Sequence, residues 1–277
     1  APATQAFTPA LYRVTKENHA PEYETATGPN FKQHYQIRVD VAPGQTLTNL
    51  RLKDVLPNTL QFVSAAVTGA GAIGSVTDVA TPVTSTRGGT LERVLASVTG
   101  ANPDDPADAV LDIEYYVPYR NTSNALVLNA NTGDDLVIPN SATASDAQWT
   151  PIDTRDPKFE AGNPLPPVTV PTTGPYGVWD PKAEQPLVAK SIATQKSVSG
   201  TATPGALLTY TINFQVSDFF AFQNLVLTDL LGDGQRLEGT PTLAVTDGHT
   251  VAGTTTGDFN AANFTNTINK AGQNGKD

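Results

Sequence analysis

His34-Tyr35-Gln36-Ile37-Arg38-Val39-Asp40-Val41 carries an apolar residue at every second position, and Thr209-Tyr210-Thr211-Ile212-Asn213-Phe214-Gln215-Val216 repeats that pattern at a constant offset of 175. Period two is the signature of a strand with one buried face. Outward from these two strands the offset holds without a gap: Asn49, Leu50, Leu52, Asp54 and Leu56 fall on Asn224, Leu225, Leu227, Asp229 and Leu231. Pro29 and Pro204 obey it upstream, and a one-residue adjustment brings Val14 and Lys16 onto Val188 and Lys190. A match held this long in register identifies two copies of one structural unit.

Leu50/Leu52 and Leu225/Leu227 alternate as further strands, which run into Leu56-Pro57-Asn58 or Leu231-Gly232-Asp233-Gly234, where Pro, Asn and Gly predict a turn. More alternating runs follow at Leu60/Phe62, Leu111/Ile113/Tyr115/Val117, Leu126/Leu128 and Leu136/Ile138. Leu91 to Val98 is compatible with a helical turn, but no long stretch sustains a 3.6 period. About seven short strands per unit predicts a two-sheet sandwich. The expected fold is all-β: tandem immunoglobulin-like β-sandwich domains over residues 8–150 and 186–277, joined by a Pro-rich spacer over 151–185. Prolines 151, 157, 164, 166, 167, 171, 175, 181 and 186 give that spacer its extended, stiff character. The second copy has no counterpart of the Leu111–Val117 run or of the Asn140 strand, so it is expected to be incomplete. Either it is a truncated piece, or strands from another chain complete it.

Composition excludes several function classes. The 277 residues carry a formal charge of −10, which is unsuited to neutralising nucleic-acid phosphates. With no Cys there is no disulfide, thiolate metal site or cysteine nucleophile, and with no Met either, an exposed protein has little to lose by oxidation. No run approaches the roughly 20 apolar residues of a membrane span. The start, Ala1-Pro2-Ala3-Thr4, reads as a mature or excised product. The expected location is extracellular, either secreted or at a cell surface.

The runs Thr209-Tyr210-Thr211-Ile212, Asn224-Leu225-Val226-Leu227-Thr228-Asp229 and Leu50-Arg51-Leu52-Lys53-Asp54-Val55-Leu56-Pro57, with Pro139-Asn140-Ser141-Ala142-Thr143-Ala144 closing the first copy, resemble the "domain of unknown function 11" family. The resemblance covers residues 10 to 148 and 186 to 245. The second copy departs from the family pattern with Leu231-Gly232 in place of Leu-Pro, and both copies lack its Asn-Thr-Gly after the first core strand. The resemblance implies sandwich repeats strung along bacterial or archaeal cell-surface and matrix proteins, which speaks to architecture and location more than to activity.

One chemical constellation stands out: Lys16, Asp54 and Asn140. Sandwich repeats of Gram-positive surface proteins join a first-strand Lys to a last-strand Asn through a self-formed isopeptide bond, helped by a buried acid, and the three residue types occur here in that order. Burial would keep the amine neutral and nucleophilic, while a protonated Asp54 would polarise the carboxamide as ammonia leaves. The alternative is a solvated Lys16, a turn-capping Asp54 and a turn-forming Asn140. The second copy retains Lys190 and Asp229 but not the Asn-bearing strand.

Weaker signals surround this one. Asp153, Asp156 and Glu160, near Asn163, could offer oxygens to calcium or simply be solvated; the loop Asp104-Asp105-Pro106-Ala107-Asp108 poses the same choice. Gly69-Ala70-Gly71-Ala72-Ile73-Gly74 has the glycine pattern of dinucleotide turns but no helix to follow it, and reads as a loop. His19, His34 and His249 have no metal-ligand spacing. Asn121-Thr122-Ser123 and Asn263-Phe264-Thr265 are glycan sequons, and Trp149, Tyr176 and Trp179 either form a sugar platform or pack the spacer. No facing pair of catalytic carboxylates is present to suggest a hydrolase. The reading is a non-enzymatic structural module of a stalk, surface layer, filament or matrix assembly. Its expected partners are other copies or neighbouring repeats, and glycans. The alternative is a carbohydrate- or calcium-dependent adhesion module.

Overall fold

The computed structural model describes residues 10–20, 24–101, 107–129, 136–150, 166–172, 177–180, 186–220, 222, 224–232 and 234–244. The chain is all-β, with no helix among the described residues. It divides into two compact units, Ala1–Phe219 and Phe220–Asp277.

In the first unit, β1 (Tyr12–Asn18), β2 (Glu24–Ala26), β3 (Gln33–Val41), β4 (Thr46–Thr68), β5 (Ala72–Ile73), β6 (Val76–Ala80), β7 (Arg87–Thr99) and β8 (Ala109–Tyr116) come first. They are followed by β9 (Leu136–Ile138), β10 (Ser141–Ser145), β11 (Gln148–Trp149), β12 (Val168–Thr169) and β13 (Gly177–Asp180). The last three are β14 (Leu187–Lys190), β15 (Ile192–Ser199) and β16 (Thr209–Val216). Eleven strands form one large sheet, β2, β14 and β9 form a second, and β15 and β16 form a third.

The long strand β4 organises the large sheet. Its first half pairs with β7 on one side and with β10 and β11 on the other, while its second half pairs with β8. Strand β8 continues through β3 to β1. The ladder to β7 shifts register between Leu56 and Gln61, across Pro57-Asn58. The predicted turn there is therefore a bend inside a strand: Pro57 has no N–H to give a ladder, so pairing changes partner around it while the chain runs on. The run Leu91–Val98 is likewise strand β7 rather than a helical turn, because Leu91, Arg93 and Leu95 alternate inward against β4. Leu126 makes only an isolated bridge, to Arg120, although Val127 and Leu128 are buried. Gly69–Gly74, read as a loop, is one only in part: after Gly69–Gly71 it forms the short strand β5, which pairs with Val98 and Thr99 of β7.

Alternation does the burying. Tyr35, Ile37, Val39 and Val41 of β3 share one apolar core with Leu47, Leu50, Leu52 and Leu56 of β4 and Leu111, Ile113 and Tyr115 of β8. Ile138, Leu187 and Ala189 of the small sheet join it. Leu47 and Leu50 both face inward because Asn49 between them takes a left-handed conformation, φ 58°. Asn224, its partner in the repeat, has φ 55°. Asn tolerates this region better than other side chains, so the sequence match is also a backbone match.

The described part of the Pro-rich segment does not stand off as a spacer. Val168–Thr169 pairs with β11 and Gly177–Asp180 runs parallel to β1. Val170 is buried, its N–H bonds Ala147 O, and its own carbonyl accepts a hydrogen bond from the Tyr12 hydroxyl at 3.0 Å. Prolines exclude helix but do not exclude sheet edges, and Val170 is buried here while Val168 stays exposed. The boundary expected at residue 186 also falls within the first unit, since β14 lies between β2 and β9. Hydrogen bonds hold the hairpin β15–β16 beside β2, among them the following. The hydroxyls of Thr27 and Ser217 meet, the Asn30 N–H donates to Asp218 Oδ2 at 2.9 Å, and Asn30 Nδ2 donates to Asp218 Oδ1 at 2.9 Å. In the second unit the described residues hold no strand, so Leu225/Leu227 are not paired as the alternation predicted; an apolar alternation without a neighbouring strand leaves its backbone groups to water.

Candidate functional site

Lys16 sits near the middle of β1, where alternation turns it inward with Val14 and Tyr12, opposite Ile37 of β3. Asp54 occupies the inward face of β4, between Leu52 and Leu56 and opposite Ala142 of β10. The two meet in the interior: Lys16 Nζ lies 2.7 Å from Asp54 Oδ2, with the side chains 1% and 0% exposed. At that burial the desolvation of two full charges competes with their attraction. Passing the proton from ammonium to carboxylate leaves an amine and an acid in the same hydrogen bond, without the cost of two buried ions.

Two aromatic rings form the floor. Lys16 Nζ is 4.6 Å from the centroid of the Tyr35 ring, which stacks on Tyr115 with centroids 4.4 Å apart and planes 15° from parallel. Burial pushes both phenols well above the ordinary tyrosine range, so they remain neutral and give the pair no acid stronger than Asp54. The Tyr115 hydroxyl donates to Asn18 Oδ1, 3.2 Å away and one turn of alternation beyond Lys16 on β1.

Asn140 is related to Asp54 by strand register. It lies just before β10, two residues ahead of Ala142, and residues two apart share a face. Because Ala142 is opposite Asp54, Asn140 occupies the diagonal position, a spacing of roughly 7–8 Å between Cα atoms and less between side chains. Its Nδ2 and Oδ1 are both sealed from solvent and make no hydrogen bond among the described residues. A buried carboxamide normally takes partners for both groups, and leaving them unmade costs about 1–3 kcal/mol. Strand register thus puts a carboxamide with no described hydrogen bond diagonal to the acid of the Lys16–Asp54 pair.

The corresponding residues of the second copy are placed differently. Lys190 is on β14, with Nζ 3.0 Å from Glu24 Oε1. It does not occupy the position of Lys16. Strand register assigns that position to Lys196: Lys16 stands opposite Ile37, and Lys196 stands opposite Ile212, the residue that the repeat aligns with Ile37. Lys196 Nζ is 4.5 Å from the ring centroid of Tyr210, as Lys16 Nζ is 4.6 Å from that of Tyr35. Asp229 is an exposed residue of the second unit. The one-residue adjustment misplaced the lysine because the connection from β1 to β3, which includes β2, has 14 residues against 9 from β15 to β16.

Asp153, Asp156 and Glu160 lie outside the described residues, as do Asp104, Asp105, Tyr176, His249 and Asn263. Among the described residues no three His, Asp or Glu side chains are grouped to hold a metal ion. Asp108, from the acidic loop, is a buried organiser: its carboxylate accepts from the N–H of Val41 at 2.7 Å and of Ala101 at 2.8 Å. Asn121 caps a turn, accepting from the N–H of Ser123 and Ala125. Trp149 donates to Gln45 Oε1 at 2.9 Å from within the sheet. His34 Nδ1 lies 2.8 Å from Asp112.

No family model matches the chain, and neither does any curated protein. No helix among the described residues is long and apolar enough to cross a membrane.

Proposed function

We propose that the chain is a structural module of a secreted or cell-surface assembly, made of immunoglobulin-like β-sandwich repeats, whose first repeat closes on a self-formed amide bond between Lys16 and Asn140. The observations that support this most are the buried pair, Lys16 hydrogen-bonded to Asp54 at 2.7 Å, and a sealed carboxamide, two residues from the one opposite Asp54, that bonds to nothing described. Neutral Lys16 Nζ attacks Asn140 Cγ while protonated Asp54 hydrogen-bonds the carboxamide oxygen, as oxyanion donors do. The Nζ–Cγ bond forms, the Cγ–Nδ2 bond breaks, a proton passes through Asp54 to the departing nitrogen, and ammonia leaves. No oxidant, metal or cofactor is consumed.

The product links β1 to the segment before β10. A link of this kind restricts the unfolded chain as a disulfide does, in a protein with no Cys to form one. It suits a module whose work is to span distance under load and to meet proteases outside the cell. The resemblance to surface-protein repeats and the acidic, Cys- and Met-free composition agree with that role.

Pulling single molecules by their two ends tests the proposal. A bond from 16 to 140 locks about 125 residues out of extension, roughly 400 Å of contour at about 3.4 Å per residue. Full unfolding of the native chain should fall short of the Asn140→Ala variant by that length. Equal contour lengths would refute the stapled module.

A further inference from the structure

Early and late strands of the first unit are tied to each other in parallel. Tyr12 of β1 stands opposite Gly177 of β13 and Thr15 opposite Asp180, while Glu24 of β2 stands opposite Val188 of β14 and Ala26 opposite Lys190. Tension drawn along the chain from residue 10 toward residue 219 reaches such a pair at opposite ends, so its hydrogen bonds bear the load together. The hairpin β15–β16 meets the same tension differently. Ile192 stands opposite Val216, so the chain enters and leaves at one end of an antiparallel pair, and its bonds can open one after another.

That end of the hairpin is closed by further bonds. The Ser217 N–H donates to Ser191 O at 2.9 Å across its mouth. The Ser217 hydroxyl and the Asp218 N–H both donate to Thr27 O, each at 2.9 Å. The Asp218 carboxylate accepts from the N–H and from Nδ2 of Asn30, a pair of bonds to a charged acceptor. Gly28 makes room for that carboxylate: its φ is +128°, and a Cβ there would collide with the Asp218 side chain. We infer that residues 27–30 and 217–218 form a clasp that shields the hairpin from unzipping, so that the chain under tension yields only once the clasp has broken. The inference rests on the reading of a module that spans distance under load, and it is independent of the amide bond.

Force spectroscopy on the whole chain is the test. The sequence has no Cys, so Ala10→Cys and Phe222→Cys, both at exposed positions, supply the two handles and leave the chain beyond residue 222 unloaded. At constant force the first event should release residues 192–216, roughly 85 Å at about 3.4 Å per residue. Asp218→Ala removes both bonds from Asn30 and should shorten the wait for that event about tenfold or more. Ser217→Ala, a smaller change, should act in the same direction. Val198→Ala lies far from the mouth, opposite Tyr210, and should leave the wait unchanged. A first event of another length, or equal waits in the native chain and both clasp variants, overturns the inference. So does a Val198→Ala effect as large as that of Asp218→Ala, since the far end is felt early only when all the bonds are loaded together. The Lys16–Asn140 bond lies outside residues 192–216 and shortens only the later extension. A stapled chain without the clasp event and an unstapled chain with it are therefore told apart in the same traces.

Discussion

Replacing Asn140 by Ala separates two states of the site that differ in the sign of the result. If Lys16 and Asn140 are joined, the bond closes a loop of about 125 residues, and the chain-entropy relation used for disulfides gives about 5 kcal/mol of stabilisation. Asn140→Ala forfeits it. For a unit of this size each kcal/mol moves the midpoint by about 2–4 °C, so the variant should melt about 10–20 °C below the native chain. If the bond is absent, Asn140 is a dry carboxamide with neither group hydrogen-bonded, a burden of about 1–3 kcal/mol that Ala removes. The variant would then melt at the native temperature or above it. Calorimetry on both proteins at matched pH reads the difference, and a midpoint that stays or rises would refute the reasoning.

Three further outcomes follow from the geometry. Asp108→Ala leaves the N–H groups of Val41 and Ala101 without their acceptor and should cost about 2–3 kcal/mol in urea denaturation, with m unchanged. Tyr12→Phe removes the hydrogen bond to Val170 O, which should cost about 1 kcal/mol and speed proteolysis around residues 166–172 while cleavage elsewhere keeps its rate. Alkaline titration should show hidden phenols: burial pushes Tyr12 up to about 12 and Tyr35 and Tyr115 further. Their folded pKa values are raised above the unfolded value near 10, so their contribution is whole below pH 10 and lost as pH rises beyond it. Stability should therefore be flat through neutral pH and fall above 10, and phenolate absorbance from these residues should appear only with unfolding.

Strand identity was legible where one face is buried and the other wet. Tyr35–Val41 and Leu111–Tyr115 alternate because their partners cover a single face, and each is a strand; Tyr210–Val216 is a strand too, with its apolar residues half-buried. Local chemistry misled where tertiary pairing overrode it. Pro57-Asn58 carries turn residues, yet β4 continues because β8 receives the chain on the far side of the bend. The prolines from 166 onward exclude helix, but nothing local shows that Val170 will be buried under Tyr12. The buried Lys16–Asp54 pair was legible, since both are charged residues at inward positions of apolar alternations. Lys196 was not, because letter matching preferred Val188-Ala189-Lys190, whereas position in a sheet is set by counting back from Tyr210 through a shorter turn. Tyr115 and Asn18 were also missed as site neighbours. Only the pairing of β8 with β3 brings the first beside Tyr35, and only its hydroxyl finds the second.

The intact mass of the purified chain under denaturing conditions tests the central claim most directly. A mass short of the sequence value by one ammonia, with a single crosslinked peptide joining Lys16 to Asn140 after digestion and both features lost in Lys16→Met, is the result predicted here. A mass equal to the sequence value, with the two residues recovered on separate linear peptides, would contradict it.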